Sequence, residues 1–245
     1  MNTERIGAVV RKELRDFRRN RFLVATMAIL PFVFLISPMI TLLRIPASAP
    51  ASLVDRSVGV TSLLLFVVPA VIPPIMAAYS VIGERDQGTL EPFLTTPIRP
   101  DELLLAKAFA VFVPSVLVAY GIYFAFAIAV RFGATHAVGA AVWHTPQMLA
   151  QLVFTPLIAT WAIWVGIAMS VRARDVRVAQ QLATLASLPA LGITTLITFR
   201  VITPSVQLAV ALAAALLALD IRAWRFVSKL FDRERLITGT RAQRS

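Results

Sequence analysis

Cysteine is absent from the 245 residues. That gap excludes disulfide scaffolds, thiolate metal sites and cysteine nucleophiles, and it leaves the redox compartment unreadable. Histidine is almost absent: His136 and His144 stand eight residues apart with no carboxylate near them in sequence, which is no metal-ligand set. Charge is scarce, at 15% of residues against roughly a quarter in an average soluble domain. Catalytic patterns are missing as well. No His-Glu-x-x-His, Gly-x-Ser-x-Gly or Gly-x-x-x-x-Gly-Lys-Ser/Thr occurs; Gly83 and Gly88 have the glycine spacing of a phosphate loop, but Thr89 stands where its lysine is required. The chain is therefore expected to hold no catalytic residue, no metal and no nucleotide of its own.

What the sequence has in excess is apolar surface. Apolar residues make up 58% of the chain and the mean hydropathy is +0.77, which calls for a lipid solvent rather than water. About 20 apolar residues of helix cross a hydrocarbon core roughly 30 Å thick. Six runs meet that length or approach it: Phe22–Leu43, Val58–Ile82, Leu103–Val130, Met148–Val171, Leu182–Phe199 and Val206–Leu219. The last is marginal alone, but Ser205 and Ile221 can extend it. An all-α fold with six membrane helices is thus expected, with no external domain: the outer loops are residues 44–57, 131–147 and a few around Arg200–Ser205. Ala47-Ser48-Ala49 imitates a signal-peptide cleavage site, but the basic segment of about 21 residues and the apolar run of about 22 both exceed signal-peptide dimensions.

The formal net charge of +11 is explained by where the cations sit. Twenty of the 24 lie before span one, between spans two and three (Arg85, Arg99, Lys107), between spans four and five (Arg172, Arg174, Arg177) or after span six; only Arg44, Arg56, Arg131 and Arg200 fall on the other side. The positive-inside rule makes the first face cytoplasmic and places both termini there, so the basic pI needs no nucleic acid.

Three regions divide the chain: a cytoplasmic amphipathic helix at 1–21, a six-helix membrane domain at 22–224, and a basic cytoplasmic tail at 225–245. In the first, Ile6, Val9, Val10, Leu14 and Phe17 form one helical stripe surrounded by arginines and Lys12. An anionic-lipid anchor and a partner-contact surface fit this pattern equally. The segment 83–100 interrupts the membrane domain on the inside. Glycines at 83 and 88 are expected to break the helix of span two; a short turn then carries Leu90, Phe93 and Leu94 on one side, and Pro97 and Pro100 end it. Pro100, Asp101 and Glu102 mark a new helix start. A short helix bracketed by two long ones can act as a lever or be an ordinary interfacial loop.

Within the spans no ionisable residue is expected, since Arg44, Arg200 and Asp220 read as span ends; that counts against a proton-driven pump. Uncharged spans mildly favour an apolar or amphiphilic cargo. Pro69, Pro73 and Pro74 should bend span two strongly, as a hinge or as a purely structural kink. Span five carries Thr184, Ser187, Thr194 and Thr198 broadly on one side, either packing helix on helix or facing a substrate path.

Gly83-Glu84-Arg85, Gly88-Thr89-Leu90-Glu91 and Leu94-x-x-Pro97 together resemble the loop after span two in permease subunits of type-2 ABC exporters. Lys12-Glu13-Leu14-Arg15-Asp16 and Phe231-Asp232-Arg233-Glu234 resemble that family's flanking signatures. The resemblance implies a type-2 ABC exporter permease fold in the plasma (cell inner) membrane, working as a dimer with a second copy or a sister permease. It also implies a separate ABC ATPase that binds ATP and Mg²⁺, seated on residues 84–97 as a coupling helix. Glu84, Arg85 and Glu91 would make charged contacts there, Leu90, Phe93 and Leu94 would fill a groove, and Gly88, Thr89 and Pro97 would belong to the same ATPase-coupling interface. A secondary transporter or channel, or a membrane assembly factor, are the rival readings.

Overall fold

The computed structural model describes residues 3–86, 99–172, 177–185, 192 and 205–242, with 81–86, 100, 145, 171–172 and 231–242 described by backbone alone. Among the described residues there are helices and no strand. We label them α1 (Thr3–Arg19), α2 (Arg21–Leu43), α3 (Ala51–Leu65), α4 (Val67–Asp86), α5 (Pro100–Gly133), α6 (His136–Val142), α7 (Thr145–Arg172) and α8 (Val206–Ala242); residues 177–185 are also helical.

Five of the described segments are long and apolar enough to cross a membrane: Arg21–Leu43, Ala51–Ser80, Asp101–Gly133, Pro146–Ser170 and Val206–Leu230. They correspond to expected spans one to four and six. Span five lies outside the described residues except for 182–185 and 192.

Several boundaries differ from the sequence reading, each for a physical reason. Span two begins at Ala51 rather than Val58, because Pro50 (φ −63°) is preset to open a helix and residues 51–57 contain no breaker. That span is also two helices. Phe66 separates α3 from α4 and its N–H turns back to the Leu63 carbonyl at 3.0 Å. Pro69 supplies the cause: it has no N–H for the carbonyl four residues back, at Leu65, and its ring crowds that carbonyl. Pro73 and Pro74 lie inside α4 without ending it. The expected outer loop at 131–147 contains α6, and His136 opens that helix. Finally α8 does not stop at Leu219; it runs 37 residues, about 56 Å of helix, because Asp220 and Arg222 are followed by neither proline nor glycine until Gly239.

Two apolar clusters mark opposite ends of the bundle. At one end Phe17, Leu23, Leu104, Ile163 and Val227 bring together α1, α2, α5, α7 and α8. At the other Leu42, Val54, Val130, Val138 and Val142 join α2, α3, α5 and α6. Trp143 fastens that second end by donating its indole N–H to the Ala127 carbonyl at 3.0 Å. Within the first cluster, α4 and α7 pack closely because of Gly166. A Cβ there would lie 2.9 Å from both the Pro74 Cα and the Ala77 Cβ, so the missing side chain is what lets the helices approach.

Candidate functional site

The end of the bundle that holds α1 is where α4 finishes and α5 starts, on either side of the expected coupling segment. Asn20 sets the geometry of α1 there. Its side-chain oxygen accepts from the Phe22 and Leu23 N–H groups at 3.0 and 3.2 Å, ending one helix and opening α2 in a single residue. The stripe expected on α1 is real: Val9 and Phe17 are buried and Val10 and Leu14 are half-buried against the bundle. The stripe thus packs on protein, chiefly α5, with the exposed Arg11, Arg15, Arg18 and Arg19 on the remaining faces.

Glu13 lies on that same stripe, one turn from Val9 and one from Phe17, and is only 3% exposed. Its partner is Lys107 of α5, 1% exposed, whose Nζ donates to Glu13 Oε1 at 2.9 Å. Lys107 also donates to the Ser80 carbonyl at 2.8 Å and lies 3.3 Å from Ser80 Oγ, while Ser80 Oγ donates to Glu13 Oε2 at 2.9 Å. Both carboxylate oxygens, the ammonium and the hydroxyl are thereby engaged. One residue from each of α1, α4 and α5 closes a ring of hydrogen bonds. The sequence reading missed it, counting Lys107 among loop cations and naming Glu13 only within a flanking signature. Its available signal was spacing, since Val9, Glu13 and Phe17 fall at i, i+4 and i+8.

Of the expected coupling residues, Glu84 and Arg85 belong to the last turn of α4, which continues through Gly83 to Asp86. The expected break at Gly83 does not occur; one glycine costs a helix only about 1 kcal/mol, which neighbouring good turns outweigh. Gly88, Thr89, Leu90, Glu91, Phe93, Leu94 and Pro97 lie outside the described residues. The helix start after them is as expected: Pro100 occupies the first turn with Asp101 and Glu102, and Glu102 Oε2 accepts from the Arg99 N–H at 3.4 Å.

Of the polar set in span five, Thr184 is half-buried, whereas Ser187, Thr194 and Thr198 lie outside the described residues. Gln180, just ahead of them, donates to the Ile75 carbonyl of α4 at 3.3 Å, a helix-to-helix contact. The expectation of spans free of ionisable groups is not met, since Asp55 and Arg56 already fall inside the candidate span Ala51–Ser80. Lys107 sits inside the candidate span Asp101–Gly133, and Asp220 sits inside Val206–Leu230. Asp220 is 5% exposed and neither carboxylate oxygen has a hydrogen-bond partner. Position near a run's edge concealed it, because α8 extends further than its apolar run.

Among the described residues no group of three or more metal-ligating side chains assembles; His144 instead lies 3.2 Å from the Gln147 side-chain oxygen through Nδ1. No curated protein matches the chain. A family model described as ABC-2 family transporter protein matches residues 7–205, well over half of it, and takes in most of α1, the Glu13–Lys107 ion pair and the residues expected to form the coupling segment. With that match and several membrane-length apolar helices, the chain belongs to the ABC-2 family of transporter proteins, as a multi-pass membrane permease of an ABC transporter.

Proposed function

We propose that this permease is the membrane-spanning half of an ATP-driven exporter, paired with a second copy or a sister permease and powered by a separate ABC ATPase. The ATPase uses ATP and Mg²⁺; this chain supplies the path and no catalytic group. Residues 83–100 face the cytoplasm and form the coupling segment, with Glu84, Arg85 and Glu91 in charged contact with the ATPase and Leu90, Phe93 and Leu94 in its groove. Both termini lie on that same inner-membrane face, a placement that the segregation of cations supports. Thr184, Ser187, Thr194 and Thr198 border the path.

One observation supports this reading most. The ends of α4 and α5 that flank the segment are held together with α1 by a ring of buried polar contacts, so force applied between them enters a firm body rather than a loose loop. ATP-driven closure of the ATPases would then rotate or shift the helices that continue from this end.

The test is a pull-down of the full chain with an ABC ATPase from the same cell, followed by reconstitution in liposomes. Leu90→Ala with Glu91→Lys should keep the complex formed yet separate ATP hydrolysis from transport. Unchanged coupling refutes the assignment of residues 83–100, and failure of wild type to retain any ATPase refutes the ABC mechanism for this chain.

A further inference from the structure

We infer that Glu13, Ser80 and Lys107 form a pin that makes α1 part of the coupling machinery. They are positioning residues that oblige α1 and the adjoining ends of α4 and α5 to move as one body. The inference rests on the reading of 83–100 as the coupling segment, and it adds α1 to that segment's mechanical output.

Location is the first argument. Ser80 lies three residues before the segment's first residue, Gly83, and Lys107 lies seven residues after its last, Pro100. Any displacement of the segment reaches these two residues within about two turns of helix, before it reaches the centre of the membrane. Glu13 lies far away in sequence, 94 residues from Lys107, yet its carboxylate touches both.

Chemistry is the second argument. An apolar contact can slide by a fraction of a side chain at little cost, because dispersion has no direction. A buried ion pair cannot: moving Glu13 away would leave an ammonium and a carboxylate without partners in a medium that solvates neither. The ring has a further constraint, because the Lys107 ammonium also holds the Ser80 main-chain carbonyl at 2.8 Å. The lysine is therefore tied to the α4 backbone itself as well as to a side chain. Such a joint fixes both spacing and register among three helices, which the stripe of Val9, Val10, Leu14 and Phe17 alone would not do. Charge here serves specificity of position, the best-attested use of buried polar pairs.

Alternative duties fit the geometry less well. Both charges are nearly inaccessible, so the pair offers nothing to a soluble ligand. All of the polar atoms of Glu13 and Ser80 in the ring have partners, so it is no half-built ion site.

The experiment uses the full chain, alone and in complex with its ATPase, in variants Glu13→Gln, Lys107→Met and the exchanged pair Glu13→Lys with Lys107→Glu. Because the chain has no cysteine, spin labels can be placed through Arg15→Cys on α1 and Phe109→Cys on α5, both exposed positions. In wild type the label-to-label distance should be single and narrow and should stay unchanged when the complex is trapped with ATP and vanadate. Each single variant should broaden the distribution while the ATPase remains bound, and should reduce the permease-dependent change in ATP hydrolysis by about fivefold or more, the lower edge of ordinary coupling between sites. The exchanged pair should recover both. Single variants that remain fully coupled overturn the inference. So does an exchanged pair that regains thermal stability and the narrow distance without regaining coupling, since the ring would then be structural only. If wild type binds no ATPase, the coupling reading itself falls; a narrow distance in the isolated chain that Glu13→Gln broadens would then show the pin without the engine.

Discussion

Replacing Gly166 by alanine tests how closely the central helices approach. The added methyl would meet the Pro74 Cα and the Ala77 Cβ at 2.9 Å and the Pro74 carbonyl oxygen at 3.1 Å. Carbon atoms rest at about 3.5–4.0 Å, so the two carbon contacts are short by about 0.6–1.1 Å. None of the three atoms can swing away, because two belong to the α4 backbone and the third is bonded directly to it. The helices must therefore separate along one of the most extensive interfaces in the molecule. Overpacking of this kind costs about 1–3 kcal/mol. Alanine returns at most about 1 kcal/mol through its better helix propensity. Gly121 supplies the control: its Cβ would meet nothing within 4 Å, so Gly121→Ala gains the propensity term without the clash. The two alanine variants should thus differ by about 1–3 kcal/mol. At about 2–4 °C per kcal/mol for a chain of this size, Gly166→Ala should melt roughly 2–12 °C below Gly121→Ala in the same detergent. Paired melting curves followed by tryptophan emission suffice. A Gly166→Ala protein that melts level with or above the control would refute the close approach of α4 and α7.

Asp220 gives a prediction of opposite sign. A buried carboxylate without partners costs stability, so Asp220→Leu should raise the melting point of the isolated chain by the equivalent of about 1–3 kcal/mol; a lower melting point would mean the carboxylate is engaged in the folded protein. Single cysteines in the naturally cysteine-free chain test the topology. Ser48→Cys and Ala140→Cys should react with an impermeant maleimide from one face of sealed vesicles and Arg15→Cys only from the other, and labelling of all three from one face would contradict the separation of the two ends.

Much of the architecture could be read from hydropathy alone, because a lipid solvent makes span length almost independent of tertiary detail. Spans one, three and four were located to within a few residues, as was the stripe on α1, since each depends on a local period. The start of α5 was legible for the same reason: proline and two acids in a first turn act on their own helix. What escaped depends on contacts distant in sequence. The break at Phe66 is legible only when Pro69 is referred to the carbonyl four residues back, and a cluster of three prolines invites attention to its middle instead. Lys107 and Glu13 resemble ordinary surface charges until each has the other beside it. Asp220 imitates a span end because hydropathy falls there, although a single acid does not stop a helix that has no other reason to stop. Residues 87–98 and most of span five lie outside the described residues, so the expected coupling contacts and the path residues Ser187, Thr194 and Thr198 rest on sequence.

The distance between Glu13 and Lys107 along the chain also orders the birth of the protein. At roughly 5–20 residues per second, a ribosome needs about 5–20 s to make the 94 residues that separate them. Throughout that interval α1 carries an acid whose buried partner on α5 has not yet been synthesised. It must wait at the bilayer surface, watered and held by its arginines, until the third span has been threaded. Only then can it dock, so α1 waits for a partner made 94 residues later.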